Sequence, residues 1–366
     1  MPRSDSVPIQ RLEVSACTIP TDFPEQDGTL DWSQTTIVIV QAHAGGKLGA
    51  GYTYSDEAAA TLIRGTLART VEERDAMSVG GCWDAMLRSI RNLGRPGICA
   101  AAISAVDTAL WDLKARLLDV PLVTLLGQRR PSVPVYGSGG FTSYRLAQLE
   151  DQLAGWVAAG ISRVKMKIGR DARADVDRVR AARAAIGPNT QLFVDANGAY
   201  SRKQALRQAE RFAEYGVTWF EEPVSSDDLE DLRLIRDRAP AGMDIAAGEY
   251  GYDLWYFRRM LEAGAVDVLQ PDATRCGGFT GFLQAAELCL AHHLECSAHT
   301  APALHAHVGC AAPAVRHLEY FHDHVRIENM LFDGVPAPVA GELHPDLSRP
   351  GLGLELKRAD AERYAA

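Results

Sequence analysis

Short apolar runs alternate with amphipathic, helix-like stretches over most of the chain from Val133 onward. The runs have the length and composition of buried strands, and they lie at residues 133–136, 164–169, 191–195, 218–221, 245–249, 266–270 and 294–297. Strands that alternate with helices predict a parallel sheet with right-handed crossovers. Seven or eight such units in about 190 residues favour a closed (β/α) barrel. An open doubly wound sheet would carry G-x-G-x-x-G after its first strand, and this sequence does not.

A charged or polar residue ends nearly every strand of this series. Successive members are 20 to 28 residues apart, about the length of one unit in a barrel of ~250 residues and eight units. Residues with this period gather at the C-terminal rim of a barrel, where barrel active sites lie. Any one of them could be a surface charge, but a complete series in register predicts an active site. The series is Lys167, Asp195, Glu221, Glu249, Asp272, His299 and Glu319.

Three carboxylates of this series, Asp195, Glu221 and Glu249, come from consecutive strands. Converging carboxylates repel one another unless a cation joins them, and all-oxygen ligation suits Mg²⁺ or Mn²⁺. Rim ion pairs with arginines are the competing structural interpretation. Glu222 directly follows Glu221 and must point to the other face of its strand, so only one of the two is expected to bind metal.

Lys165 and Lys167 share one face of an otherwise apolar strand, because side chains in a strand alternate. Mutual repulsion and burial both favour the loss of a proton, which predicts a lysine base near neutral pH. A solvated strand end with two unrelated lysines is the alternative.

Asp272 and His299 come from two neighbouring strands and predict a carboxylate–imidazole pair. The carboxylate would orient the ring through one nitrogen and leave the other nitrogen for proton transfer. The remaining histidines that we considered are expected to be structural; they are His292, His293, His305, His307, His322 and His324.

Residues 1 to about 130 predict a separate α+β domain. Residues 35–40 suggest a strand, residues 18–31 a loop with Pro20 and Pro24, and residues 45–51 a glycine-rich hairpin turn that lacks the phosphate-loop pattern. Residues 55–71 and 100–118 suggest helices. The barrel is expected at 131–325, and 326–366 form a proline-bearing tail that returns to the first domain.

The composition fits a cytoplasmic enzyme. A net charge of -9 without a basic cluster argues against nucleic acid as a partner, and no apolar run approaches the length of a membrane span or suggests a leader. The seven scattered cysteines contain no C-x-x-C pair, which predicts reduced thiols.

Together these motifs resemble the enolase superfamily in its mandelate racemase subgroup. The motifs are V-K-M-K-I-G at 164–169, V-D-A-N-G-A-Y at 194–200, F-E-E-P at 220–223, A-A-G-E at 246–249, Q-P-D-A-T-R-C-G-G at 270–278, S-A-H-T at 297–300 and H-L-E-Y at 317–320, with A-V-D-T-A-L-W-D-L-K-A at 105–115 in the first domain. The resemblance implies an α/β fold with a modified (β/α)7β TIM barrel and an α+β capping domain, formed by the N-terminal region and the C-terminal tail. It also implies one Mg²⁺ per active site, a small carboxylate substrate, and a homo-oligomer, either a dimer or an octamer.

The resemblance implies a role for each site residue as well. Lys167 and His299 would act on opposite faces of the substrate, while Mg²⁺ held by the three carboxylates would stabilise the enediolate formed when the α-proton leaves. Lys165 would tune Lys167, and a protonated Glu319 would donate a hydrogen bond to the developing oxyanion. Asn197 is the candidate substrate contact.

The expected reaction is loss of water from an acid sugar to give a 2-keto-3-deoxy acid. A racemase or epimerase of a 2-hydroxy acid is the alternative, because the same residues support reprotonation, and a non-catalytic metabolite-binding relative is a minor one. Substrate selection is expected on segments 18–26, 45–54 and 142–145.

Overall fold

The computed structural model describes residues 6–366. Its first part combines a three-stranded antiparallel sheet with a group of helices. The strands are β1 (Arg11–Gln26), β2 (Asp31–Ala44) and β3 (Lys47–Tyr54). Helix α1 (Glu57–Leu62) continues through a π-helical segment (Ile63–Leu67) into α2 (Ala68–Val71), and α3 (Val79–Ser89), α4 (Ile98–Leu117) and α5 (Leu122–Leu125) follow.

β1 shows that the prediction of a loop over residues 18–31 was wrong for residues 18–26, whereas residues 27–30 do form the loop between β1 and β2. The strand runs to Gln26 and pairs with β2, with a shift of register between Pro20 and Glu25. β1 is the edge strand of its sheet, and an edge strand tolerates proline because one side of its backbone needs no strand partner.

The glycine-rich segment is the hairpin between β2 and β3, as predicted, and it packs closely on α4. A Cβ atom on Gly49 would lie 2.3 Å from the carbonyl oxygen of Ala109, and one on Gly51 would lie 2.4 Å from that of Ala105. Only glycine allows the sheet to approach the helix backbone this closely. These glycines therefore face α4. Within segment 45–54, which was predicted to select the substrate, they belong to the part that packs on the helix and not to the part that faces the barrel.

The second part is a closed barrel of eight parallel strands in the predicted (β/α)7β order. The strands are β4 (Val133–Gly139), β5 (Arg163–Lys167), β6 (Gln191–Asp195), β7 (Val217–Glu221), β8 (Asp244–Ala247), β9 (Val268–Leu269), β10 (Glu295–Ala298) and β11 (Val315–Phe321). The helices between them are α6 (Leu146–Ala158), α7 (Asp175–Ile186), α8 (Arg202–Ala213), α9 (Leu229–Arg238), α10 (Leu254–Glu262), α11 (Gly278–Ala291) and α12 (Pro302–Ala311). β4 pairs with both β5 and β11, which closes the barrel.

Large apolar side chains fill the barrel interior below the rim. This buried layer is made of Tyr136, Phe193, Trp219, Ala246 and Val268, and the rings of Phe193 and Trp219 stack with centroids 5.2 Å apart. Inward-facing positions recur every second residue along a strand. On β4, β6 and β7 the inward positions two residues later are Ser138, Asp195 and Glu221, which lie at the rim directly above this layer.

The remaining elements are α13 (His322–Leu331), β12 (Phe332–Asp333), β13 (Glu342–Leu343), β14 (Glu355–Leu356) and α14 (Arg358–Glu362). β13 pairs with β4 of the barrel, whereas the amide of Thr18 in β1 donates to the carbonyl of Tyr364 at 2.9 Å. The tail thus contacts both the barrel and the first sheet. The domain boundaries at 130/131 and 325/326 stay predictions.

All seven cysteines, which lie within the described residues, are free and buried, as predicted. Among residues 6–366, no helix is both long enough and apolar enough to cross a membrane.

Candidate active site

The predicted rim residues come together at the C-terminal end of the barrel. Lys165 and Lys167 lie on β5, Asp195 ends β6, Glu221 ends β7 and Glu319 lies on β11. Glu249, Asp272 and His299 follow β8, β9 and β10 within three residues. All eight residues are at most 6% exposed, so the site is a buried cluster of charged groups.

The carboxylates of Asp195, Glu221 and Glu249 each offer an oxygen, and these three atoms lie within 4.8 Å of one another. Glu221 is held from below, because its Oε2 accepts from Trp219 Nε1 at 3.0 Å and from Gln270 Nε2 at 2.9 Å. Glu249 Oε2 is buried and has no hydrogen-bond partner among the described residues. An all-carboxylate set with one unsatisfied buried oxygen fits a hard divalent cation.

Both lysines face carboxylates, and this overturns the expectation that they lower each other's pKa. Lys165 Nζ donates to Glu221 Oε1 at 2.5 Å and also lies 2.8 Å from Glu319 Oε1, while Lys167 Nζ donates to Asp195 Oδ2 at 2.5 Å. Burial opposes the charge on each lysine, but the neighbouring carboxylates outweigh it and raise both pKa values above the usual value for lysine. The predicted repulsion from Lys165 does lower the pKa of Lys167, but by less than the charge of Asp195 raises it.

His299 and Asp272 form the predicted pair. The Nδ1–H of His299 donates to Asp272 Oδ2 at 2.8 Å, and His299 Nε2 lies 3.4 Å from Glu249 Oε2. Asp272 is fixed by the amide of Thr274, which donates to its Oδ1 at 2.6 Å. Burial disfavours the Asp272 charge, but the hydrogen bond and charge of His299 hold the pKa of this carboxyl well below its usual range.

Glu319 differs from its predicted protonated state. Burial raises its pKa, yet the Lys165 ammonium outweighs burial and lowers the pKa to about 2. Its two oxygens act as acceptors, with Ser138 Oγ donating at 2.5 Å and the amide of Thr300 donating at 3.1 Å. In this geometry Glu319 is an ionised partner of Lys165.

Asn197 lies just beyond β6 with φ of +45°, and its amide donates to Asp195 Oδ1 at 2.9 Å. Its side-chain Oδ1 is buried and has no partner among the described residues. Together with Glu222 and Tyr250 it lines a cleft of about 540 Å³. Burial, followed by the nearby charge of Glu249, raises the pKa of Glu222 well above its usual range. Glu222 lines this cleft, whereas the carboxylate of Glu221 faces Lys165 inside the barrel.

Two parts of the chain match known family descriptions. Residues 148–361 match the "Enolase C-terminal domain-like" description, and residues 13–127 match "Mandelate racemase / muconate lactonizing enzyme, N-terminal domain". The chain belongs to the mandelate racemase subgroup of the enolase superfamily. Its recognition from the sequence is thereby confirmed, and so is the barrel with its cap.

Similar proteins within this superfamily include enzymes that act on acid sugars. The chain is 34% identical over 363 residues to 3,6-anhydro-alpha-L-galactonate cycloisomerase of Streptomyces coelicolor, over 95% of this chain and 97% of that protein. A mandelate racemase/muconate lactonizing enzyme-like protein from Rubrobacter xylanophilus has 56% identity and a TM-score of 0.96, over 98% of this chain and 99% of that one. L-talarate/galactarate dehydratase from Salmonella typhimurium LT2, liganded with Mg and L-lyxarohydroxamate, has 27% identity and a TM-score of 0.90, over 100% of this chain and 95% of that one.

The chain is therefore an enzyme of this superfamily, and Mg²⁺ is its cofactor. The buried triad of Asp195, Glu221 and Glu249 has the donor chemistry that this ion requires.

The sequence did not predict the residues that position these groups. Thr300 and Ala301, directly after His299, both have positive φ, which is a strained backbone for non-glycine residues. His305 holds this turn: its Nδ1–H donates to Thr300 O at 2.7 Å, and its Nε2 accepts from the amide of Ala273 at 3.0 Å. Burial lowers the pKa of His305, so its neutral ring can accept. His305 is structural, as expected, but it supports the two loops that carry the His299–Asp272 pair.

One of the missed residues had a usable signal. Ser138 lies on β4 two positions after Tyr136, in the same inward register as Asp195 after Phe193, so the alternation rule would have placed it at the rim. No sequence signal could have predicted the position of His324, because that position depends on a ring contact with Tyr54 of β3, with centroids 3.4 Å apart.

Proposed function

We propose that the chain catalyses Mg²⁺-dependent removal of the proton α to a carboxylate, followed by loss of water from C3 of an acid sugar to give a 2-keto-3-deoxy acid. One observation carries the proposal: Lys167 Nζ and His299 Nε2, from β5 and β10, reach the barrel mouth beside the buried carboxylate triad. Proton acceptors and donors placed around one reacting carbon are what such chemistry needs.

Lys167 takes the C2 proton and His299 protonates the leaving group. The C2–H bond breaks toward Lys167 Nζ, and its electron pair moves into the carboxylate. The C3–O bond then breaks as C2=C3 forms, and the hydroxyl leaves as water with the proton of His299 Nε2. The resulting enol tautomerises to the 2-keto acid. Asp272, 2.8 Å from His299 Nδ1, stabilises the protonated ring before transfer.

Lys165 holds the substrate carboxylate in place, and Glu319 balances the charge of Lys165 at 2.8 Å. Asp195, Glu221 and Glu249 would hold Mg²⁺, which would supply positive charge to the substrate carboxylate and offset the Asp195 charge that faces Lys167. Lys167 pairs with Asp195 at 2.5 Å, and weakening of this pair favours the neutral amine that a base requires.

Racemisation or epimerisation is the second candidate, and the positions of Lys167 and His299 on separate strands support it. With no leaving group at C3, the second group returns a proton to the opposite face of C2. The names of the relatives extend the choice of leaving group, since a cycloisomerase of an anhydro-galactonate suggests a ring oxygen at C3. The substrates in these names include both a monocarboxylate, anhydro-galactonate, and the dicarboxylates talarate and galactarate.

Proton NMR in D₂O tests the proposal with the Mg²⁺ enzyme and a panel of acid sugars and 2-hydroxy acids. A 3-deoxy product carrying deuterium, with loss of the C2 proton signal, is the expected result. Exchange at C2 with an intact carbon skeleton would favour racemisation instead. Lys167→Ala should abolish both, whereas Lys203→Ala, a change of an exposed lysine on α8, should leave both unchanged. Full product formation by Lys167→Ala would refute the role given to this lysine.

A further inference from the structure

A bulge in β1 brings two acidic side chains to the barrel. β1 pairs with β2 up to Pro20 and again at Glu25, so residues 21–24 lie outside the ladder of strand pairs. A bulge bends its strand and redirects the side chains that it contains. Asp22 lies within this bulge and Glu25 lies at its end, and both approach His322, the first residue of α13.

Asp22, Glu25 and His322 form a group of potential metal ligands, which we call the bulge site. Each residue offers one ligand atom, and the three atoms lie within 4.8 Å of one another. His322 Nε2 is 2.9 Å from Asp22 Oδ2. The other oxygen of Asp22 accepts from the amide of Phe23 at 3.0 Å, which orients the carboxylate. The bulge site shares no residue with the carboxylate triad of the barrel mouth.

Glu25 is the buried member of the bulge site, with only 1% of its surface exposed. Its Oε2 accepts from Trp32 Nε1 at 2.7 Å. Its other oxygen, Oε1, is buried and has no hydrogen-bond partner among residues 6–366. A buried polar atom without a partner is costly, so this oxygen indicates a ligand that the described protein atoms do not supply.

The charges around the bulge site favour a cation as that ligand. Burial, followed by the charges of Asp323 and Asp22, raises the pKa of Glu25 to about 9, so a proton occupies this carboxyl at neutral pH and leaves when an ion binds. Arg326 is nearby, but it donates to Asp323 Oδ1 at 2.6 Å and to Pro20 O at 2.6 Å. A divalent cation can replace the proton of Glu25, because its charge compensates two carboxylates.

We propose that the bulge site binds a divalent transition-metal ion, best matched by Zn²⁺, in addition to the Mg²⁺ of the barrel mouth. One imidazole nitrogen and two carboxylate oxygens are ligands of Zn²⁺, and water completes its four-coordinate shell. Mg²⁺ binds oxygen ligands and gives up its own water reluctantly, so the all-carboxylate triad suits it better. His322 Nε2 coordinates the ion in place of its contact with Asp22.

The ion joins the capping sheet to the barrel beside the active site. Ser143 Oγ, in the loop before α6, donates to Pro24 O at 2.6 Å and holds the bulge from the side of β4. His322 approaches from β11, three residues after Glu319. A metal ion at the bulge site therefore fixes residues 20–25 between two loops of the barrel rim. This segment belongs to the part of the cap that was expected to select the substrate.

Calorimetry with Zn²⁺ and the Mg²⁺-loaded enzyme tests the proposal. His322→Ala should weaken Zn²⁺ binding at the bulge site at least about 100-fold, since loss of an outer-shell partner alone costs about 10–100-fold. Glu25→Gln keeps an acceptor for Trp32 and removes the charge, and it should weaken this binding at least about tenfold. His292→Ala, a change of an exposed histidine at the end of α11, should leave it unchanged.

Zn²⁺ can also compete with Mg²⁺ at the triad, and Glu221→Gln separates the two events. This variant should weaken only the binding at the triad and should keep the binding that His322→Ala loses. Equal Zn²⁺ binding by the parent and a folded His322→Ala protein overturns the proposal, as does Zn²⁺ binding that Glu221→Gln abolishes completely.

Hydrogen exchange measures whether the ion fixes the bulge. Zn²⁺ should slow exchange in the peptide covering residues 20–26 of the parent by at least about tenfold, and it should have no effect on this peptide in His322→Ala. Peptides of α11 should exchange at the same rate with and without Zn²⁺ in both proteins. Unchanged exchange over residues 20–26 in the Zn²⁺-bound parent overturns the role of the ion in joining the cap to the barrel.

Discussion

The Asp272→Asn variant tests the chemistry at its most specific point. The substitution keeps the shape of the side chain and removes the negative charge that faces His299 Nδ1 at 2.8 Å. Because Asp272 is 1% exposed, solvent cannot replace this charge. The protonated ring that donates to the leaving group then has no counter-charge from this side.

The distance gives the size of the effect. Two unit charges 2.8 Å apart attract by about 6 kcal/mol at an effective dielectric of ~20, which corresponds to about 10⁴ in rate. This value is a ceiling, and a positioned general acid contributes about 10²–10⁴-fold. We therefore expect Asp272→Asn to lower kcat for product formation by about 10²–10⁴-fold.

The assay follows product formation and deuterium exchange at C2 in the same NMR sample. Lys167 takes the C2 proton, so exchange should fall less than tenfold while product formation falls by the full amount. Asp267→Asn is the control. Asp267 directly precedes β9, at the end of the barrel opposite the rim, and accepts from the amide of Ile245 at 2.9 Å. Product formation within about fivefold of the parent, in a folded and Mg²⁺-binding Asp272→Asn protein, would refute this reasoning.

Three further predictions concern metal binding and stability. Glu221→Gln should weaken Mg²⁺ binding at least about tenfold by calorimetry, whereas Glu222→Gln should change it little, and chelation of the metal should abolish turnover. Burial raises the pKa of Glu328 to about 8, above ~4.3 in the unfolded chain. Glu328 should therefore lower the free energy of unfolding as pH rises from about 4 to 8, by up to ~1.4 kcal/mol per pH unit, and Glu328→Gln should reduce the slope measured in urea titrations by this contribution. Asp112 accepts from two backbone amides and from Arg116, so Asp112→Ala should lower the free energy of unfolding by about 3–6 kcal/mol.

Each of these predictions has a contrary outcome. Equal Mg²⁺ affinities of Glu221→Gln and Glu222→Gln would exclude Glu221 as a ligand. A Glu328→Gln protein with the full pH slope of the parent would mean that Glu328 contributes nothing to it. Asp112→Asn keeps one acceptor oxygen, so a loss of stability as large as that of Asp112→Ala would assign the effect to charge and not to the two amides.

The sequence was sufficient to predict the barrel and the rim, because both follow from periodicity. Strand alternation and the 20–28-residue spacing require only that each unit have the same length, and Asp195, Glu221 and Glu249 do converge. Recognition of the family came from the same residues and was confirmed. The boundaries were less certain, as Pro20 and Pro24 resemble loop signals until the edge position of β1 is known.

The protonation states could not be predicted from neighbours in sequence. Lys165 and Lys167 are two residues apart, and counting only that pair predicted a lowered pKa. The groups that decide the outcome, Asp195, Glu221 and Glu319, are 28 to 154 residues away in the chain, and they reach the lysines only after the barrel closes. Glu319 illustrates the same limit, since its ionisation depends on Lys165, on the strand two places away around the barrel.

The residues after α14 also determine what β1 presents to other molecules. Tyr364 accepts from the amide of Thr18, and the amide of Ala366 donates to the carbonyl of Ala16 at 3.0 Å. These bonds occupy backbone groups on the outer edge of the three-stranded sheet, which would otherwise be open to a strand from a second chain. Residues 364–366 thus prevent the edge of β1 from pairing with a strand of another chain. Its removal would be expected to appear first as concentration-dependent aggregation, before any change in the chemistry at the barrel mouth.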